Sequence, residues 1–242
     1  MIKEMTFLEH LLELRGRLLK FFLSIIIFSI IGYYYADIII GFLVLPISDS
    51  YTNLQVLKIT SIFMTKLTVA FFFGLMLSFP IFLYQLLAFI LPVFNKKATF
   101  SKIVFFVFLS LFLLILGLFF GYYVMIPTSV TFFKSISLEL SGLVGLNYTL
   151  ENYLIYLIWI LMISSLIYQM PILIFMLIKI GVVDLIWFKS NRHYVVVGFF
   201  VLAAIFTPPD PISQIMIAVP LILLYEFSLL FISIIHKDKK DD

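Results

Sequence analysis

Glu9, Glu13, Arg15 and Arg17 crowd into one stretch, TFLEHLLELRGRLLK, at positions 6–20 of a 242-residue chain. Thr6 and Glu9 have the spacing of a capping box, which predicts a helix starting there. At about 100° per residue, Glu9, Glu13, Arg17 and Lys20 share one polar quarter of that helix. Glu13 and Arg17 stand at i,i+4, where opposite charges attract weakly. Aligned carboxylates are a plain solvated face on one reading. On another they receive a cationic peptide through charge-assisted hydrogen bonds. Leu8, Leu11, Leu12, Leu18 and Leu19 make the opposite, apolar face, and Arg15 projects from its middle. A cation there either snorkels to lipid phosphate or pairs with a carboxylate in a structural or ligand-contacting role.

The remaining chemistry-bearing residues are sparse. There are no cysteines and only three histidines, His10, His193 and His236, far apart in sequence. Disulfides, thiol nucleophiles and a His-based metal cluster are therefore not expected. No Gly-rich phosphate loop, HExxH pattern or Ser/His/Asp set occurs. Glu226 lies within an apolar run, LLYEFSLL, so it is expected to be protonated, near an interface, or in contact with a partner helix. Ser165 and Gln169, at i,i+4, suit helix–helix hydrogen bonding, either within the chain or toward a partner. Gln85 reads as a structural bond to a neighbouring helix. Asp210 and Gln214 sit in FTPPDPISQ (206–214), where Asp210 suits the cap of the helix that follows.

These groups must be carried by membrane helices. The chain is 64% hydrophobic and 12% charged, with mean hydropathy +1.20, more apolar surface than a soluble domain of this size can hide. Six apolar stretches stand out, at about 18–36, 67–91, 103–126, 153–178, 194–209 and 214–235. A span needs about 20 helical residues to cross roughly 30 Å, which the first four supply. The first is expected to be a retained span rather than a signal peptide. All but Lys58, Lys66 and Lys134 of the 16 Lys and Arg residues fall on one side of the resulting topology. That side is cytoplasmic and holds both termini. The reading is an all-α polytopic protein with six transmembrane helices and one membrane domain over 1–242. Short structured caps are expected in the external connections at about 39–66 and 127–152.

The fifth and sixth spans read as short. The run 194–206 reaches only about 20 Å as a helix, and Pro220 interrupts the sixth near its start. TPPDP cannot continue a helix, since its prolines lack donors and push the preceding residues toward extended backbone. The turn is thus expected below the outer surface, where either the bilayer thins or partner helices cover it. Pro80, Pro171 and Pro220 fall inside spans, where they bend helices and help to shape a curved wall.

HLLELRGRLL (10–19), PIFLYQLLAFILP (80–92) and TPPDPISQ (207–214) occur in an order and topology that resembles TatC. TatC is the multi-spanning receptor subunit of the twin-arginine protein translocase. The resemblance spans nearly the whole chain. It implies a non-enzymatic role without cofactor or metal, in which signal peptides of folded cargo bind at the cytoplasmic face. Single-span TatA/TatB-like partners would be recruited, and transport would be driven by the proton-motive force, within a homo-oligomeric translocase. By this resemblance the signal-peptide site takes in Glu13, Arg15, Phe89 and Pro92, with Glu9 beside them. Gln169, Asp210, Gln214 and Glu226 become partner-docking candidates, and Pro46, Pro208 and Pro209 structural ones. One departure stands out. Many relatives carry a glutamate in the first inner loop, whereas here the loop reads NKKATFSK (95–102), with Ala98 at the matching position. Arginine reading would then rest more heavily on Glu9 and Glu13, on a partner's carboxylates, or on apolar contacts.

Two other functions compete. A small-solute or ion transporter would need polar groups converging near mid-membrane, and only Gln169, Glu226 and Lys66 offer themselves. A membrane enzyme lacks a nucleophile and base. A bacterial inner membrane, a thylakoid or a mitochondrial inner membrane would each suit the composition.

Overall fold

The structure, a computed structural model, describes residues 7–48, 54–94, 100–139, 149–206 and 211–237. The described residues are almost wholly helical: α1 (Phe7–Tyr34), α2 (Ala36–Ser48), α3 (Ser61–Phe94), α4 (Phe100–Phe120), α5 (Ile126–Glu139), α6 (Leu150–Ile167), α7 (Met170–Ile180), α8 (Leu185–Ser190), α9 (Arg192–Phe206) and α10 (Pro211–Lys237). A π turn, Gly121–Met125, joins α4 to α5 without a break. In lipid this is the expected outcome, because a helix satisfies its own backbone polar groups.

Six crossings account for these helices. α3, the α4–α5 rod, α6 and α10 each hold an apolar stretch long enough to span, and α1 does so as part of a pair bent by 75° against α2. α9 is the short one. Its 15 residues extend about 22 Å. The apolar stretch of α10 covers 21 residues, against 29 in α3 and 33 in the α4–α5 rod. Pro220 is accommodated inside α10 without ending it.

The sequence boundaries needed three revisions. The third span was expected to stop near 126, but the π turn lets the helix run on through Glu139. The fourth was expected as one span over 153–178, bent at Pro171. It breaks at Tyr168–Gln169 because Pro171 has no N–H for the carbonyl four residues earlier. The connection after the first span holds a short structured cap, as expected, but that cap is the apolar helix α2, whose only charged residue is Asp37, where the sequence reads as polar and mixed.

By packing, the chain divides into two compact units. One comprises Met1–Leu45, Gln55–Leu111 and Thr149–Ile155, and the other Pro46–Leu54, Phe112–Tyr148 and Tyr156–Asp242. In the first, α1 and α3 lie antiparallel along most of their length. Gly32 faces Ala70 and Gly74 faces Ser29, and a Cβ added at Gly74 would come within 2.1 Å of Ser29 Oγ. Small residues let the backbones approach, and dispersion then holds the pair. Ala70 is buried on this seam, and Val69, Leu83 and Leu87 are buried elsewhere along α3. On the external side, Leu150 N–H donates to Gln55 O (3.0 Å) and Ser61 Oγ donates to Glu151 Oε2 (2.5 Å), tying the two outer connections.

In the second unit, Gly117 and Gly121, one turn apart, let the α4 region close on α6. A Cβ at Gly117 would sit 2.7 Å from Ser165 Cα. Ser164 Oγ donates to Gly117 O at 2.6 Å across this contact. α10 is the central helix of the unit and packs on α7, α8 and α9. Ile217, Ala218, Leu221, Tyr225, Leu229 and Ile232 are its buried stripe, at helical spacing.

Candidate functional site

The cytoplasmic end of the α1–α3 pair is held by one guanidinium. Arg17 Nε and Nη2 donate to Glu13 Oε1 at 2.9 and 2.6 Å. Nη1 reaches Gln85 Oε1 at 3.3 Å and Gln85 O at 3.5 Å, and Nη2 reaches Ala88 O at 3.3 Å. The last bond has a covalent cause. Pro92 has no N–H, so the carbonyl four residues before it, that of Ala88, lacks its helical donor. Arg17 supplies a donor from the next helix. The five-donor guanidinium fork can serve a carboxylate and two carbonyls at once, which an ammonium of lysine geometry cannot.

Beside this clasp lies a shallow, open groove between α1 and α3. Leu14, Leu18, Phe21, Phe82, Leu86 and Phe89 supply its apolar walls, and Arg17 and Gln85 are its polar members. Phe21 and Phe82 pack ring to ring at 4.8 Å. Glu13 and Arg17 are half-buried, with side-chain exposures of 31% and 22%. A half-buried carboxylate beside an aromatic groove suits a ligand with an apolar stretch and a guanidinium.

The candidates of the first motif separate in space. Glu13 faces α3 through Arg17, while Arg15, two residues on and some 200° around the helix, is exposed on the opposite side. It lies among Leu11, Leu12, Leu18 and Leu19, all exposed, as a cation at the lipid headgroup level would. Phe89 lines the groove with Arg17. The side chains of Glu9 and Pro92 lie outside the described residues, as do Thr6 and the loop carrying Ala98. Sequence reasoning gave Gln85 a structural bond and missed that Arg17 is its partner. The signal was present, since Pro92 announces an unpaired carbonyl at Ala88.

The partner-docking candidates fall in the second unit. Gln169 is buried at the α6–α7 break and serves as N-cap of α7, its carbonyl accepting from Ile172 and Leu173 N–H. Ser165 is also buried, but its hydroxyl donates to Met162 O of its own helix, and Ser164 makes the bond to α4. Gln214 Nε2 donates to Phe200 O at 2.9 Å, tying the start of α10 to α9. Glu226 Oε2 meets Arg192 Nη2 at 3.4 Å. Arg192 opens α9 on the Lys/Arg-rich side, so Glu226 is drawn toward that interface rather than left at mid-membrane. Next to it, Tyr225 OH donates to Phe188 O at 2.8 Å, fastening α8 to α10. Asp210, Pro208 and Pro209 lie outside the described residues. α9 ends at Phe206 and α10 begins at Pro211 on either side of them. Pro46 occupies the last turn of α2.

Two of the polar groups the transporter reading names are engaged in ion pairs: Lys66 with Asp37 in the first unit (2.7 Å) and Glu226 with Arg192 in the second. Gln169 is buried and stands at the N-cap position of α7. No group of three or more His, Asp or Glu able to hold a metal occurs among the described residues.

The family model for the Sec-independent protein translocase protein TatC matches residues 9–220. The chain belongs to the TatC family. The Sec-independent protein translocase protein TatCy of Bacillus subtilis is 34% identical over 234 residues, 95% of this chain and 89% of the relative. The tatC-like protein ymf16 of Reclinomonas americana is 32% identical over 98% of this chain and 91% of its own length. Among solved structures, the twin arginine translocase receptor TatC in DDM superposes with a TM-score of 0.77 at 30% identity, covering 92% of this chain and 99% of that one. TatC membership accounts for the six crossings and for an integral membrane location. It also places the Arg17 clasp and the α9–α10 pair within a translocase component.

Proposed function

We propose that this chain is the receptor subunit of a twin-arginine translocase. In this reading, Glu13 and the groove ending at Phe89 capture the signal peptide of folded cargo on the Lys/Arg-rich side, and Glu9 and Pro92 border the same site. One observation carries it: Glu13 is a half-buried carboxylate already engaged by a guanidinium, at the edge of an apolar groove. A peptide arginine would share or take over that position, and the peptide's apolar segment would lie along the phenylalanines. Arginine is favoured over lysine because the carboxylate is met by a planar fork with several donors. Arg15, on the far side of α1, acts through lipid phosphate and the seating of α1 rather than through direct contact with the peptide.

Single-span partners of the TatA/TatB kind dock on the second unit, where α9 is short and Asp210, Gln214 and Glu226 supply polar groups; Gln169, buried at the α6–α7 break, acts by shaping that wall and not by direct contact. The short α9 requires a thinned bilayer or covering helices, which lowers the barrier where partners gather. The test is photocrosslinking from positions 13 and 89 to a twin-arginine signal peptide and its twin-lysine version. Strong labelling by the first and weak labelling by the second is expected. Equal labelling would remove arginine reading at Glu13, and no labelling by either would remove the receptor assignment.

A further inference from the structure

α2 is apolar on two sides. Ala36 and Leu43 are buried, at 1% and 4% exposure, whereas Ile38, Phe42 and Leu45 are open at 71%, 53% and 54%. The open three stand at i, i+4 and i+7, a single stripe. The one charge on the helix, Asp37, is held by Lys66 Nζ at 2.7 Å, which also fastens α2 to α3. Three further observations say what covers the stripe. α2 is bent by 75° from α1, and a spanning helix is tilted by only about 20° on average, so α2 runs close to the membrane plane. The bend is marked by Tyr33, Tyr34 and Tyr35, all exposed, and tyrosine collects at the membrane–water interface. Finally, α1, which leads into the bend, exposes Ile26, Ile27, Ile30 and Ile31 in its outer half, where a spanning helix meets lipid.

We propose that α2 is an interfacial helix, lying in the leaflet opposite the Lys/Arg-rich side with Ile38, Phe42 and Leu45 sunk into the acyl region. Its other face is closed by protein, and the Asp37–Lys66 pair sits at the headgroup level. Interfacial helices bind by the area of their apolar face. The occupant is lipid, and the helix fixes the depth and tilt of α1 from its external end.

The chain has no cysteine, so single-cysteine variants carry no background. Nitroxide labels at Ile38→Cys, Phe42→Cys and Leu45→Cys, in the full chain reconstituted into phosphatidylethanolamine–phosphatidylglycerol vesicles, would be tested for collision with oxygen and with a water-soluble nickel chelate. Gly41→Cys lies at the edge of the same stripe and is a second reporter. It is exposed, and an added side chain there meets nothing within 4 Å. Lys58→Cys gives the water reference and Ile27→Cys the lipid reference. The expected oxygen-to-nickel ratio at the α2 sites is several-fold above that at Lys58 and below that at Ile27. A ratio equal to that at Lys58 would place the stripe in water and overturn the proposal. Poor collision with both reagents would mean that a protein covers it, which overturns it equally.

Discussion

The α1–α3 pair and the α9–α10 pair are both antiparallel helix pairs, and they are held together by different means. α1 and α3 touch along most of their length through Gly32, Ala70, Ser29 and Gly74, so their seam is close-packed backbone with one guanidinium clasp at its cytoplasmic end. α9 is half the length of α3 or less and has an open glycine, Gly198, around which an added Cβ meets nothing within 4 Å. Its ties to α10 include two polar contacts, Gln214 to Phe200 O near the middle of α9 and Arg192, at its start, to Glu226. Close backbone packing along the whole seam makes a rigid wall for a site. A short pair tied at a few polar points leaves lipid-facing surface available for another helix.

Lengthening the short pair should give the largest effect. Inserting one turn into α9 is expected to abolish transport while twin-arginine crosslinking at Glu13 persists; full transport would sever the link between α9 length and function. Next comes the seam of the long pair. Gly74→Leu would drive a side chain into Ser29 and the Ile25 carbonyl, with an expected loss of about 3 kcal/mol, read from thermal unfolding in detergent. An unchanged midpoint would show that α1 and α3 have slack. Glu13→Gln keeps the shape of the clasp and removes its charge. A charge-assisted bond is worth about 1.5–3 kcal/mol, so twin-arginine peptide affinity should fall by roughly 10–100-fold, and twin-lysine affinity by less. Equal losses for the two peptides would reassign Glu13 to holding Arg17.

Smaller effects are expected in the short pair. Gln214→Ala should cost about 0.6 kcal/mol, the usual scale of a hydrogen bond between membrane helices. Glu226→Gln should cost under about 1 kcal/mol, since its ion pair is partly exposed to solvent. Gly198→Ala should be neutral or slightly stabilising, because the helix gains alanine's propensity and meets no neighbour. A loss at Gly198 comparable to that at Gly74 would erase the contrast between the pairs.

The crossings were legible because lipid imposes the same demand on every span, about 20 apolar residues closed by charge or proline. The brevity of α9 was readable from 194–206 and TPPDP for that reason. The Glu13–Arg17 pair was readable from i,i+4 spacing. What stayed hidden was set by contacts between distant segments. Arg17 meets Gln85 and Ala88 across 68 and 71 residues of chain. The π turn at Gly121–Met125 carried no composition signal, and it moved the end of the third span by three turns. Glu226 looked isolated in its apolar run because Arg192 approaches it from another helix.

Arg17 has one more consequence. Its guanidinium already rests on Glu13, so under the proposed reading a peptide arginine would have to displace it. The net gain would then be the difference between two similar bonds. Capture would be correspondingly weak, and a cation offering no apolar segment to the groove would gain too little to stay.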